Sequence, residues 1–378
     1  MALFLTDDQE TLADTVRPFM ADQAPVSHLR QLRDADDPAG FSRDLWRRFG
    51  EMGFTGILVD EADGGLGMGH VEAGIVLEEI GRNLSPSPFI GTAIGAVEVL
   101  RNADANLKQA WLPGIVAGET VVALALDEPV RHRPQTVALA AERHGNGFRL
   151  SGAKQFIPFG HEADLLIVSA RTSGEPTDES GVTLFALPRS QPGVTVTAHR
   201  LADSSFAARV ELDGVELDGS AVIGDIDDGR SGLNRVLSAV RTGASSELVG
   251  VAEGASAMTL EYIKQRKQFG RIVGTYQALQ HRAAHLYCEM EVARAATLKA
   301  QQSLDAGSAD ADRDATVAKA MAGMASGLAV REAVQMHGGI GMTDEYDVGF
   351  FMKRQRVLAE LYGDADFHAD RLAGMDGY

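Results

Sequence analysis

The hydrophobic period of the sequence changes twice along the chain, and this change constrains the fold most strongly. Apolar residues recur at helical spacing up to about residue 118, alternate in short glycine-bounded segments over residues 119–225, and return to helical spacing from Gly232. A period of 3.6 is typical of a helix and a period of 2 of a half-buried strand. The pattern predicts an α+β multidomain chain with an N-terminal α-helical domain (1–118), a middle antiparallel β-barrel or sandwich (119–225) and a C-terminal four-helix-bundle-like α domain (226–378).

The glycine spacing supports a β-rich middle domain. Short segments rich in β-branched residues stand between glycines, which is typical of strands joined by turns. The predicted strands are Thr136–Ala141, Asp164–Ser169, Val182–Leu187, Gly193–Thr197 and Ala208–Leu212. No alternation of strand and helix patterns occurs here, which argues against a Rossmann cofactor domain.

Composition narrows the class of partner. The chain has 378 residues and a formal net charge of −18, which argues against nonspecific binding to nucleic acid or to an anionic membrane. Cys288 is the only cysteine, so the chain cannot form an internal disulfide or a thiolate metal cluster. The acidic start of the sequence is unlike a signal peptide, and no apolar run is long enough for a membrane span. These features predict a reduced, cytoplasmic location.

Two histidines on one face of a predicted helix raise the question of a metal site. His281 and His285 have the i, i+4 spacing of two metal ligands. The glutamate that follows the first histidine in zinc proteases is absent. We therefore predict no metal site.

One long helix, predicted from Gly232 to about Arg266, contains an unusual carboxylate. At 100° per residue, Glu247 lies within about 40° of Val240 on a face of apolar and small residues. Thr242, Ser245 and Ser246 fall on the opposite, polar side. An ionised carboxylate on the apolar face is costly unless it has a function or a partner.

Two glycine-containing motifs follow long helices. In Arg266-Lys-Gln-Phe-Gly270, the cations and the glycine suit a helix C-terminus, with Gly270 as a left-handed cap. The planar guanidinium of Arg266 also suits a pyrophosphate. In Gln335-Met-His-Gly-Gly339, the glycines predict close backbone approach to a flat or phosphorylated ligand, and His337 is predicted to be structural.

Together, the three-part organisation and these two motifs resemble the acyl-CoA dehydrogenase flavoprotein family. The resemblance covers the whole chain. Additional matches are Gly64-Gly-Leu-Gly67, Leu126-Asp-Glu-Pro129 and Gly152-Ala-Lys-Gln-Phe-Ile157. The C-terminal motifs are the most specific, and those of the middle domain are degraded.

The resemblance implies FAD-dependent oxidation of an acyl-CoA to the trans-2-enoyl-CoA. A carboxylate would remove the α-proton while the β-hydride moves to flavin N5. The residues implied to reach the FAD of a neighbouring subunit are Arg266, Gln268, Phe269, Gly270, Gln277, Gln335, Gly338 and Gly339. Leu126, Phe156 and Ile157 would border the chain's own flavin ring.

The resemblance also implies partners and a metabolic setting. The substrate would be an acyl-CoA from fatty acid or steroid degradation, and an electron-transfer flavoprotein would accept the electrons. The FAD site would lie at a subunit interface of a homotetramer or an α2β2 heterotetramer. The C-terminal domain would supply both the half-site and the oligomer interface.

The chain departs from the family at the catalytic base. The usual C-terminal glutamate is replaced by Tyr362, and tyrosine is a poor base at neutral pH. The position used by other members, before the arginine that matches Arg241, is Val240. Glu247 lies seven residues further along the same helix face, so we expect it to be the base. A base displaced in this way would suit a bulky steroid- or ring-derived acyl group, with Arg241 and Tyr362 at the substrate end.

Alternatives to this assignment stay open. Glu247 could instead pair with Arg241, Arg235 or Arg282, and Glu360 is a weaker candidate base.

A further departure lies near the C-terminus. Asp364 replaces a threonine that, by the resemblance, would touch the FAD phosphates.

The middle domain departs from the family as well. Pro158 replaces a threonine beside the flavin and has no N–H to donate. The middle-domain motifs, which would bind the chain's own flavin, depart from the family pattern, whereas the C-terminal motifs, which would bind a partner's flavin, match it. This contrast suggests a second hypothesis. The chain would be a non-catalytic or half-catalytic subunit of an α2β2 dehydrogenase. A flavin monooxygenase or oxidase on the same fold is a third possibility.

Overall fold

The computed structural model describes residues 3–378 and contains helices at both ends of the chain with strands between them. The α-helices are α1 (Asp7–Gln23), α2 (Val26–Asp34), α3 (Arg43–Glu51), α4 (His70–Arg82), α5 (Val97–Leu100), α6 (Ala105–Val116), α7 (Gly229–Gln265), α8 (Gln277–Asp305), α9 (Ala311–His337), α10 (Val348–Glu360) and α11 (Ala365–Met375). The strands are β1 (Val122–Ala125), β2 (Ala140–His144), β3 (Gly147–Pro158), β4 (Leu165–Arg171), β5 (Val182–Pro188), β6 (Val194–Arg200), β7 (Phe206–Asp218), β8 (Val222–Ile223), β9 (Lys267–Gln268) and β10 (Arg271–Ile272). This order confirms the α+β architecture with a β-rich middle. None of the helices described here has the length and hydropathy of a membrane span.

Internal contacts divide the chain into two compact units. Unit 1 comprises the chain up to Gln31, His70–Ser85 and Arg241–Tyr378, and unit 2 comprises Leu32–Gly69 and Pro86–Val240. Each unit draws on more than one of the predicted segments, so the boundaries at 118 and 225 stay a prediction.

Unit 2 contains an eight-stranded sheet. Its order is β6-β7-β3-β2-β4-β5-β8, with β1 beside β4. Most pairs are antiparallel, as predicted, but β1 runs parallel to β4, with Val122 opposite Leu165. The sheet core includes Phe148 and Phe185, whose rings meet edge to face at 5.2 Å.

Some strand predictions are displaced. Residues 136–139 are not in a strand, and β2 begins only at Ala140. The twelve-residue strand β3 was missed because Gly145 and Gly152 suggest turns in the sequence. Gly152 instead lies within β3, next to a register shift opposite β7. A glycine inside a strand often marks such an irregularity.

The middle of helix α7 is buried on all sides. Every residue from Val236 to Ala252 is buried, including the predicted polar side. Ser245 Oγ and Ser246 Oγ each donate a hydrogen bond to the carbonyl oxygen four residues earlier, at 2.7 Å and 3.1 Å. The hydroxyls are therefore satisfied within the helix, so their polarity does not require exposure.

Glycines bring α7 close to α4 within unit 1. A Cβ atom at Gly250 would lie 1.9 Å from the Glu78 carbonyl oxygen, and one at Gly254 would lie 2.6 Å from the Arg82 carbonyl oxygen. Both positions must lack a side chain for the two backbones to approach this closely.

Candidate functional site

In unit 2, the segment expected beside the chain's own flavin is tied to β3 by a buried lysine. Lys154 is fully buried and its Nζ donates to Glu128 Oε1 at 2.7 Å and to the Leu126 carbonyl oxygen at 3.2 Å. Burial lowers the pKa of Lys154, and the Glu128 carboxylate opposes this shift. Gln155 N also donates to the Asp127 carbonyl oxygen at 2.8 Å. These bonds fix the 126–128 backbone against β3.

Phe156 and Ile157 have opposite environments. The pairing of β3 with β7 shifts register between Lys154 and Ile157, and Phe156 has a φ of 52°. Phe156 is 39% exposed, so its ring is available to a ligand. The Ile157 side chain is fully buried in the sheet core. Strand alternation turns this side chain inward, and the cofactor contact of Ile157 stays a prediction.

In unit 1, the Arg266–Gly270 motif forms a hairpin instead of a helix cap. Helix α7 ends at Gln265, and β9 pairs with β10 through Gln268 and Arg271. Phe269 and Gly270 both have positive φ angles, 51° and 78°. This combination is the two-residue turn preferred in tight hairpins, so the predicted helix cap at Gly270 is wrong. The turn presents Phe269 at 91% exposure.

The hairpin presents cations to solvent. Arg266, Lys267 and Arg271 are all exposed, within six consecutive residues. The Arg271 guanidinium also lies 3.7 Å from the centroid of the Tyr276 ring. In a chain of net charge −18, this local cluster is chemically suited to a pyrophosphate.

The second predicted motif lies at the end of α9. Gly338 has a φ of 65° and a ψ of −141°, a conformation that only glycine adopts readily. A Cβ atom at Gly338 or Gly339 would meet none of the described atoms within 4 Å. Packing inside the chain therefore does not explain why both positions lack side chains. The two glycines and Gln335 line a groove of about 370 Å³, which leaves room for a flat or phosphorylated group.

The eight residues predicted to contact a neighbouring subunit's FAD share one property. All of them are exposed in unit 1, including Gln277 at the start of α8. Open backbone at Gly338 and Gly339 together with exposed cations on the hairpin fits a dinucleotide such as FAD. Arg266 would meet the pyrophosphate and Phe269 would offer a ring for stacking.

Glu247 forms a buried ion pair with Arg354 of α10. Glu247 is 3% exposed, and its Oε1 accepts hydrogen bonds from Arg354 Nε at 2.8 Å and Nη2 at 2.6 Å. The ion-pair partner differs from the three arginines considered above. Arg235 bonds Asn102 Oδ1 at 3.4 Å, and Arg282 bonds Glu332 Oε2 at 2.6 Å.

Arg241 contacts the chain rather than solvent. It is 1% exposed, and its Nε donates to the Tyr362 carbonyl oxygen at 3.3 Å. Its guanidinium also lies 5.6 Å from the centroid of the Phe367 ring and 3.7 Å from Asp312 Oδ1. The buried guanidinium therefore holds the backbone of the Tyr362 turn, and the substrate contact of Arg241 stays a prediction.

Tyr362 occupies a strained turn after α10. It has a φ of 60° and is 7% exposed. Lys319, which is 1% exposed, donates from Nζ to the carbonyl oxygens of Ala359 and Gly363, both at 2.9 Å. Two buried basic side chains therefore fix three carbonyl groups around Tyr362. Such support is what a positive φ at a bulky residue requires.

Burial and the nearby Arg241 lower the pKa of Lys319 to about 7. Between pH 7 and the ordinary lysine value, the unfolded chain binds a proton that the folded chain does not. The contribution of Lys319 to the free energy of unfolding should therefore rise as pH increases above 7. We expect the stability lost in Lys319→Met, measured by urea unfolding, to be larger at pH 9 than at pH 7. Lys264→Met, at an exposed amine on α7, is the control, and an equal loss at both pH values would contradict the prediction.

Two other carboxylates near this turn have structural partners. Glu360 Oε1 lies 3.0 Å from Arg356 Nη2 in a half-exposed i, i+4 pair, which weakens its candidacy as a base. Asp364 Oδ1 accepts a hydrogen bond from Phe367 N at 2.8 Å and caps α11. Helix capping explains the aspartate without reference to the FAD phosphates.

Sequence analysis missed Arg354 and Lys319. Arg354 is separated from Glu247 by 107 residues, and no local pattern connects them. Lys319 could have been noticed, because it interrupts an alanine-rich helix face with a charge. A lone lysine on such a face requires acceptors in the fold.

Comparison with known proteins agrees with this geometry. The family models that match are Acyl-CoA dehydrogenase, N-terminal domain (residues 6–119), middle domain (130–215) and C-terminal domain (227–374). The acyl-CoA dehydrogenase FadE12 of Mycobacterium tuberculosis is 29% identical over 93% of this chain and 91% of its own.

Two solved structures are similar over nearly the whole chain. A variant of the Tcur3481-Tcur3483 steroid ACAD has a TM-score of 0.89 at 29% identity and 98% coverage of both chains. The ChsE4-ChsE5 complex from Mycobacterium tuberculosis has a TM-score of 0.89 at 25% identity and full coverage of both chains.

The chain belongs to the acyl-CoA dehydrogenase family. It is accordingly a flavoprotein oxidoreductase that acts on a CH–CH bond, with FAD as its cofactor and an acyl-CoA thioester as its substrate.

Proposed function

We propose that the chain dehydrogenates a bulky, steroid- or ring-derived acyl-CoA, with Glu247 as the base that removes the α-proton. The observation that carries the proposal is a carboxylate buried on α7 and hydrogen-bonded to the guanidinium of Arg354. The two positions at which the family places its base are Val240 and Tyr362, and neither side chain serves as a base at neutral pH.

The ion pair supports this role in two ways. A guanidinium within hydrogen-bond distance favours the ionised form of a carboxylate, and only that form can accept a proton. It also holds the carboxylate in one orientation, which favours proton transfer to a fixed atom. An arginine pair can equally be structural, so the experiments must separate the two roles.

The chemistry divides between the bound cofactor and this chain. When bound, FAD would supply the acceptor for the β-hydride. Glu247 accepts the α-proton, so that the Cα–H and Cβ–H bonds break, a Cα=Cβ double bond forms, and the two electrons leave with the hydride. Loss of water from the site would strengthen the basicity of the carboxylate.

A bulky acyl group is supported by the position of the base. Glu247 lies about two helical turns along α7 from Val240, so a base there would reach the thioester from a shifted direction. The similarity to a steroid ACAD agrees with a bulky substrate.

Flavin bleaching tests the substrate class. In anaerobic mixing, we expect CoA thioesters of steroid side chains or fused rings to reduce the flavin. Straight-chain thioesters such as octanoyl-CoA should react at least about tenfold more slowly, because they leave the pocket unfilled. Equal rates for both classes would exclude the bulky-substrate proposal.

A heteromeric assembly is the second candidate, supported by Pro158. This residue lies in β3 opposite Ala207, and its nitrogen has no proton for the flavin. Both solved structures described above bear the names of two proteins. In this arrangement, the chain donates its exposed half-site to a partner's FAD, and an electron-transfer flavoprotein accepts the electrons.

Flavin content separates the two assemblies. A homotetramer purified alone should contain about one FAD per chain. A donor subunit should be colourless alone and should gain FAD only with a second acyl-CoA dehydrogenase chain. The visible spectrum of each preparation gives the answer.

A further inference from the structure

We infer that a stack of three rings, Tyr262, His337 and Tyr346, positions the two motifs of the proposed FAD half-site relative to each other. The Tyr262 and His337 rings are stacked with centroids 4.4 Å apart and an interplanar angle of 28°. Tyr346 packs on the other two rings, with centroids at 4.8 Å from His337 and 6.1 Å from Tyr262. We call these three residues the ring stack. The inference rests on the half-site assignment made under the proposed function.

One end of the ring stack holds the hairpin. Tyr262 lies one turn before the end of α7, and its carbonyl oxygen accepts a hydrogen bond from Arg266 N at 2.8 Å. The Arg266 carbonyl oxygen in turn accepts a hydrogen bond from Val273 N at 2.8 Å, which closes the hairpin. The position of Tyr262 therefore sets where Arg266 and the turn begin.

The other end of the ring stack holds the glycine segment. The Tyr262 hydroxyl donates to the His337 carbonyl oxygen at 3.3 Å, and this carbonyl directly precedes Gly338. A Cβ atom at Gly341 would lie 3.0 Å from His337 Cβ, so the segment folds back onto the histidine. The backbone that lines the groove is thus fastened to α7 through one ring and one hydrogen bond.

The histidine has a single hydrogen-bonded nitrogen. His337 is 3% exposed, and its Nδ1 lies 2.7 Å from the Ala333 carbonyl oxygen, so Nδ1 is the donor. Nε2 is buried and has no hydrogen-bond partner among residues 3–378. Burial lowers the pKa of His337, which keeps the ring neutral and suited to stacking between two tyrosines.

The third ring is anchored by an arginine of α2. Asp347, next to Tyr346, accepts a hydrogen bond from Arg30 Nη2 at 2.5 Å. Arg30 Nη1 also donates to the Asp344 carbonyl oxygen at 2.9 Å. The segment after the glycines is therefore held at both ends, by His337 and by Arg30.

His337 acts through the glycines and is a positioning residue. Its side chain is buried, whereas Gly338 and Gly339 are exposed and border the groove. A packing role alone would lower global stability when the ring is removed. A positioning role would in addition loosen the two motifs and weaken FAD binding.

The test combines hydrogen exchange with flavin titration, using the chain with the copies or partner with which it assembles. In the flavin-free protein, His337→Ala should speed amide exchange at Gly338–Met342 and Lys267–Ile272 by about tenfold, the equivalent of one lost ring contact. The FAD dissociation constant, from flavin fluorescence, should rise by about the same factor. His337→Phe, which keeps a ring, should restore both values toward wild type.

Further variants keep the inference open to refutation. Tyr346→Leu changes a partly exposed ring, and it should show the same two effects if His337→Ala fails to fold. Phe54→Leu in unit 2 is a matched control that should lower stability without changing exchange at either motif. Unchanged exchange in both ring-stack variants would overturn the inference.

Amide exchange and FAD affinity also test this inference independently of the proposed reaction. Faster exchange with unchanged FAD affinity would overturn it, because the ordered motifs would then not be a cofactor half-site. Neither readout depends on Glu247, whose role is tested by flavin reduction.

Discussion

Glu247→Gln should abolish reduction of bound flavin by acyl-CoA while FAD remains bound. The amide cannot accept the α-proton, and loss of a general base costs about 10²- to 10⁴-fold in rate. Its carbonyl oxygen can still accept the two hydrogen bonds from Arg354, so the fold should persist. Anaerobic stopped-flow absorbance of the flavin measures the rate, and the spectrum before mixing measures bound FAD.

A glutamate elsewhere on α7 provides the control. Glu261 is exposed and pairs with Lys264 at 2.8 Å, so Glu261→Gln should reduce flavin at the wild-type rate. Normal reduction by Glu247→Gln would exclude Glu247 as the base. The buried ion pair would then be structural, and the donor-subunit hypothesis would gain support.

Arg354→Ala should destabilise the folded chain by about 3–5 kcal/mol, because it leaves the Glu247 carboxylate buried without this partner. The free energy of unfolding, from urea denaturation, measures the effect. Arg356→Ala on the same helix is the matched control. Arg356 is 74% exposed in its pair with Glu360, so its loss should cost at most about 1 kcal/mol. Equal losses in the two variants would show that the Glu247–Arg354 pair contributes no more than a surface pair.

Removing both charges of the Glu247–Arg354 pair distinguishes a structural role of the pair from a catalytic role of Glu247. The double variant Glu247→Leu with Arg354→Met replaces the pair with apolar side chains, which should restore most of the lost stability. If Glu247 is the base, the stable double variant should still fail to reduce flavin. Wild-type reduction in the double variant would assign the pair to stability alone.

The architecture could be predicted from the sequence because the spacing of apolar residues in a long segment shows which of its faces is buried, and so whether it is a helix or a strand. Helix α1 begins after Thr6, whose side chain accepts a hydrogen bond from Gln9 N while the Gln9 side chain accepts one from Thr6 N, and this capping box involves residues only three apart in sequence. The β-rich middle was also predictable, since alternation is a local property. The parallel pairing of β1 with β4 was not, because register between distant strands depends on tertiary packing.

The candidate site was predictable in part. Residues of the two C-terminal motifs were identified from glycines and cations, and all lie exposed on unit 1. The hairpin at Phe269 was missed because a glycine after a helix usually caps it. The partner of Glu247 could not be found, because the choice of Arg354 over nearer arginines depends on how α10 packs.

Unit 1 is built from three separate stretches of the chain, and this has a consequence for its synthesis. Helix α4 contributes ten buried residues to unit 1, yet α7, on which Gly250 and Gly254 receive it, is completed more than 150 residues later on the ribosome. The surface of α4 that packs on α7 must therefore stay uncovered by that helix while the whole β-sheet of unit 2 is made. Chains stalled or truncated before Arg241 would expose that surface and would be natural clients of chaperones and proteases.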